Sequence, residues 1–111
     1  MPKRTRTYPR TVRLAADLLG SQIKQARLER RWTVRELAER AGITPATLKK
    51  VEDGNPTVAL GTAFDVASLV GVPLFYEEPS RLTIEAVRSR DRASLLPQRV
   101  REREGDVDDA F

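Results

Sequence analysis

Thr44, Thr47, Lys49 and Lys50 stand together in the stretch TPATLKK, so that two hydroxyls and two ammonium groups fall on what reads as the polar edge of a short helix. All four groups can donate hydrogen bonds, and lysine on such an edge favours guanine O6 and N7, so this edge could enter a major groove. Pro45 and Ala46 between them offer only apolar contact, such as to a thymine methyl. Other chemistry has little material. With no cysteine and no histidine the chain has no disulfides, thiolate or imidazole metal ligands, or imidazole-based acid–base catalysis. No glycine-rich phosphate loop follows a strand pattern, and the carboxylates are scattered over helix surfaces. No enzyme activity, metal or cofactor is therefore expected.

The elements that must position this edge are marked by local start and stop signals. Thr33 and Glu36, three places apart, form a capping box, so a helix begins at about Val34, buries Leu37, Ala38 and Ala41, and stops at Gly42. Thr44 caps the next helix and Pro45 sits in its first turn, where a missing N–H is harmless. Leu48 and Val51 face inward there, and Gly54 ends it. Two short helices joined by a tight turn are the pattern of a helix-turn-helix. An earlier helix is expected from about Val12 to Arg31, with Ala15, Leu19, Ile23 and Ala26 at helical spacing and Trp32 beside the turn. A later one is expected from Leu60 to Val70, ended by Gly71, and another over RLTIEAVRSRDRASLL, capped by Ser80 and ended by Pro97.

From about Leu19 to Leu74 the sequence resembles the Xre/Cro regulators of bacteria and phages. The resemblance is carried by LGSQIKQARLERRW, TVRELAERAGITPATLKKVEDGNP and LGTAFDVASLVGVPL. It implies an all-α, five-helix lambda-repressor-like domain over residues 12–76, here with a basic arm at 1–11, an additional C-terminal helix at 77–97 and a disordered tail at 98–111. It also implies that Arg27 and Glu52 form a buried ion pair between the first and third helices, and that the protein is a dimer binding a double-stranded operator. On that reading Thr33, Arg35 and Asn55 hold phosphates, partly through the N-terminus of the second helix. Thr47, Lys49 and Lys50 reach base edges, Thr44 does either, and Ala46 makes apolar contact. Val34 replaces a glutamine common in the family, and Pro45 and Ala46 stand where it often has polar base readers.

Charge agrees with a polyanion partner. The net charge of +4 hides an uneven layout: residues 1–31 hold nine Lys/Arg against Asp17 and Glu29, while residues 51–79 hold five acids and no base. The length suits one core, and no apolar run approaches a membrane span or a signal peptide, so a cytoplasmic, nucleoid-associated protein is expected. The arm MPKRTRTYPR is basic and proline-broken, either a minor-groove arm or a disordered start. Val72, Leu74, Phe75 and Tyr76 either complete the core or form a dimer seam. The tail QRVREREGDVDDAF turns from basic to acidic and ends in an aromatic residue, so Asp108, Asp109 and Phe111 either anchor in a partner's pocket or merely aid solubility.

The run GNPTVALGTAFDVASLVGVPLF and the aromatic terminus further resemble the HipB-type antitoxins. That resemblance implies a repressor of its own operon that also holds a HipA-like serine/threonine kinase toxin inactive. Two other readings remain open: a stand-alone Xre-family regulator, and a protein-interaction adaptor using the acidic face of residues 51–79.

Overall fold

A computed structural model of the chain describes residues 7–102. The described residues contain five helices: α1 (Arg10–Glu29), α2 (Val34–Ala41), α3 (Pro45–Glu52), α4 (Leu60–Leu69) and α5 (Pro79–Ser94). They fall into two compact units that divide between Phe75 and Tyr76, the first holding α1 to α4 and the second α5. Residues 70–78 form a loop, so the only helix after α4 among the described residues is α5.

Helices α2 and α3 begin and end where local chemistry dictates. At α2 the Thr33 hydroxyl accepts from the Glu36 N–H at 3.0 Å, and Glu36 Oε1 accepts from the Thr33 N–H at 2.8 Å, which satisfies two otherwise orphaned donors. These bonds, with Arg40 nearby, hold the Glu36 carboxyl below its ordinary value. Gly42 closes α2 in the left-handed region at φ 69°, a conformation that only glycine adopts without strain. At α3 the Thr44 hydroxyl accepts from the Thr47 N–H, and Pro45 takes the first helical position.

The ends of α1 and α5 depart from the sequence reading. Helix α1 starts earlier, at Arg10 after Pro9, and stops at Glu29 rather than Arg31. Arg31 is itself left-handed, at φ 61°, because the chain must reverse there to bring the Trp32 N–H onto the Arg27 carbonyl. Helix α5 starts at Pro79 with Glu78 in the capping position, so Ser80 lies inside the first turn and does not cap. Proline's fixed φ suits the first helical residue, and it moves the start one place ahead of the serine.

The core of the first unit gathers Ile23 from α1, Leu37 and Ala38 from α2, Leu48 and Val51 from α3, and Val66, Ala67 and Val70 from α4 and its end. Leu19, Ala26, Trp32, Ile43, Val58 and Ala63 pack around it. Ala15, expected in the apolar set of α1, is exposed. Gly20 explains how α1 lies so close to α3. A Cβ there would strike the carbonyl oxygens of Val51 and Glu52, the latter at 2.7 Å. The glycine thus lowers helix propensity in order to seat α1 against the C-terminal end of α3.

Among the described residues no helix is long and apolar enough to cross a membrane. Helix α5 buries no residue. Within its own unit it carries one charge network, in which Glu85 accepts from Arg81 at 3.0 Å and from Arg88 at 3.3 Å.

Candidate nucleic-acid interface

One face of α3 is fixed inward and the other is free. Leu48 has no exposed surface, Val51 is buried, and Glu52 is buried through its bond to Arg27. Inward side chains at positions 48, 51 and 52 leave Ala46, Lys49 and Lys50 outward, and all three are exposed. Thr44 is exposed at the start of the helix and Thr47 is half-buried at the edge. Ala46 and Lys50 lie one turn apart on a single ridge.

The Arg27–Glu52 pair sets how α3 is held. Arg27 Nε donates to Glu52 Oε2 at 2.7 Å and Nη2 donates to Oε1 at 3.0 Å, a two-pronged contact that fixes both planes. The third donor, Nη1, reaches the Trp32 carbonyl at 2.9 Å. One guanidinium therefore ties α1, the turn before α2, and the last residue of α3. The hydrogen bond to Glu52 raises the Arg27 pKa further, against the opposing effect of burial.

The second helix presents Arg35, exposed in its first turn, beside the capping residue Thr33. The capping box already consumes the Thr33 and Glu36 N–H groups, so the free amide donors of that end are those of Val34 and Arg35. With the positive end of the helix dipole they can hold an anion. After α3, the Asn55 N–H bonds back to the Lys50 carbonyl at 2.9 Å. Its Oδ1 accepts from both the N–H and the hydroxyl of Thr57, at 2.8 and 2.6 Å. That Asx turn fills Oδ1 and leaves the amide nitrogen as the donor of the half-buried Asn55 side chain.

The structure thus places Thr44, Ala46, Thr47, Lys49 and Lys50 on one helix edge, with Asn55 directly after it and Thr33 and Arg35 at the head of α2. Of the residues weighed for a dimer seam, Val72 is a core residue and Leu74 packs against that core. Phe75 is 80% exposed and Tyr76 is exposed as well. Phe75 meets the Phe64 ring edge-on at 6.2 Å and holds a left-handed backbone at φ 69°, which is uncommon for a bulky residue. Asp108, Asp109 and Phe111 lie outside the described residues, as does the arm before Thr7.

Two features were missed in the sequence reading. Thr57 orients Asn55, and the Asn-x-Thr spacing in NPT was a readable sign of that turn. Arg40 stacks 4.2 Å over the Trp32 ring, with Arg30 at 5.9 Å, which pins the α1–α2 turn. No sequence pattern marks that stack, because it depends on the path of the turn.

Residues 23–76 match the family described as helix-turn-helix, and they form an Xre-type domain of that family. This is a class of DNA-binding regulators rather than of enzymes. No curated protein and no solved structure matches the chain.

Proposed function

We propose, taking the helix-turn-helix domain at residues 23–76 as the premise, that the protein is a sequence-specific transcriptional repressor that binds its operator as a homodimer. The observation that carries this reading is the exposed edge of α3, held outward by a fully buried Leu48 and by the bidentate Arg27–Glu52 contact. Val34 and Arg35 amides, the Arg35 guanidinium, Thr33 and Asn55 position phosphates, while Thr44, Thr47, Lys49 and Lys50 reach base edges and Ala46 makes apolar contact. Pairing through Phe75 and Tyr76 would present two copies of α3 about 34 Å apart, one helical turn of duplex.

Duplex binding measured by fluorescence anisotropy over a range of salt tests the reading. Affinity is expected to fall steeply with salt, because each phosphate neutralised by Lys or Arg releases counterion. A flat salt response refutes DNA binding. Lys50→Ala is expected to weaken the operator complex by about 1 to 3 kcal/mol and random DNA far less. An equal loss on both makes Lys50 a phosphate contact.

A second function, antitoxin to a HipA-like serine/threonine kinase, is supported by the run GNPTVALGTAFDVASLVGVPLF, which resembles that of the HipB-type antitoxins. Co-purification from the native cell, comparing the full chain with one ending at Pro97, tests it. A kinase retained by the full chain and lost from the shorter one supports the antitoxin role, whereas no retained protein in either case leaves a stand-alone regulator.

A further inference from the structure

The outward chemistry of α3 is one-sided. Two of its potential acceptors are already occupied within the protein. The Thr44 hydroxyl accepts from the Thr47 N–H at 3.1 Å and donates its own proton to Thr47 Oγ1 at 3.0 Å. Of that hydroxyl pair the Thr47 proton remains uncommitted, and each oxygen, having accepted one bond, keeps a single acceptor site. Asn55 Oδ1 is taken up by Thr57, which leaves the amide hydrogens. Lys49 and Lys50 are donors only, and Pro45 and Ala46 present hydrocarbon. From Thr44 to Lys50 no carboxylate or amide oxygen faces outward. Asp53, the first exposed acid after Lys50, lies beyond the last helical residue as the C-cap, and Glu52 is turned inward onto Arg27.

A donor-and-methyl edge discriminates between bases. Guanine offers N7 and O6, and thymine offers O4 with its methyl, so both suit such an edge. Cytosine presents only an N4 amino group there, and adenine an N6 amino group beside a single N7 acceptor, so a lysine ammonium finds two acceptors on one base only at guanine. We propose that the bases this protein contacts in each half-site are keto bases, guanine under Lys50 or Lys49 and thymine under Ala46 or Pro45. Ala46 and Lys50 are four residues apart, a rise of about 6 Å. Against about 3.4 Å per base pair this sets the thymine and the guanine within about two base pairs of each other. This inference rests on the DNA-binding reading above and specifies the class of operator.

Selection of duplexes from a random library by the full-length chain is the test, followed by chemical substitution in the selected site. The expected consensus has guanine and thymine at the contacted positions of one strand. Replacing that guanine by 7-deazaguanine, which lacks N7, is expected to weaken wild-type binding about tenfold and to have little effect on Lys50→Ala if Lys50 reads it, or on Lys49→Ala if Lys49 does. Deoxyuridine in place of the thymine removes the methyl and is expected to weaken binding several-fold. Lys50→Gln adds an acceptor, so if Lys50 is the reader it should move the preference from guanine toward adenine, which pairs with a glutamine amide through N6 and N7. If 7-deazaguanine and deoxyuridine are both tolerated at the selected pairs, the keto-base assignment is overturned while DNA binding stands. If no sequence is enriched and retention is insensitive to salt, the DNA-binding reading itself fails.

Discussion

Removing one partner of the Arg27–Glu52 pair should destabilise the protein far more than removing both. Arg27 is 7% exposed and Glu52 8%, and between them they make two hydrogen bonds of 2.7 and 3.0 Å. Glu52→Leu leaves a guanidinium with only the Trp32 carbonyl for company, and stranding a buried charge in this way costs about 3 to 5 kcal/mol. A domain of this size has a total stability of about 5 to 15 kcal/mol, so the variant should be close to unfolded at 37 °C. The double variant Arg27→Met with Glu52→Leu removes both charges, and hydrophobic replacement of a buried pair is commonly neutral or stabilising by about 1 to 4 kcal/mol. It also orphans the Trp32 carbonyl, at about 1 to 3 kcal/mol, so the two effects nearly cancel. Urea unfolding at neutral pH, with all four members of the cycle compared at equal m, gives the coupling energy directly. An interaction of at least about 2 kcal/mol is expected. Single variants that each lose under about 1 kcal/mol, or losses that simply add, would refute the reasoning and make the pair a surface-like contact.

Two glycines inside helices should respond oppositely to alanine. Gly20→Ala must push α1 off the Val51 and Glu52 carbonyls and should lower the melting temperature, by about 1 to 3 kcal/mol of stability, despite alanine's better helix propensity. Gly61→Ala in α4 meets open space and should raise stability by up to about 1 kcal/mol in the same thermal assay. Thr33→Ala removes the α2 capping box and should cost about 1 kcal/mol by urea titration. The Glu36 carboxyl is held below its ordinary value of 4.5 in the folded state, so its contribution is complete above that value and is lost as the pH falls below it. The stability difference between Thr33→Ala and wild type should therefore shrink on acidification. On the proposed pairing, Phe75→Asn keeps a residue that tolerates a positive φ but removes the exposed ring, so it should sediment as a monomer where the wild type sediments as a dimer, with an unchanged helical spectrum. A dimer that survives this change places the seam elsewhere.

Signals that act within four or five residues were legible from the chain alone. The Thr33/Glu36 box, Gly42, the Thr44 cap with Pro45, and Gly54 delimit α2 and α3 through hydrogen bonds and φ preferences that need no distant partner. The exposed edge of α3 followed from them, because a helix with Leu48 and Val51 inward must turn Ala46, Lys49 and Lys50 outward. Other features required the assembled fold. Helix α1 ends at Glu29 because the chain has to turn under Arg27, and Val72 is buried because α4 leads it back to the core. The close seating of α1 on α3 depends on Gly20 lying opposite two carbonyls more than thirty positions away, which no local pattern encodes. The excess of free donors over free acceptors on the recognition edge was decided by the folded structure too. Residue types say that threonine and asparagine can donate or accept, but only the packed turns show that Thr57 fills both acceptor sites of Asn55 Oδ1 and that the Thr44 hydroxyl already bonds Thr47.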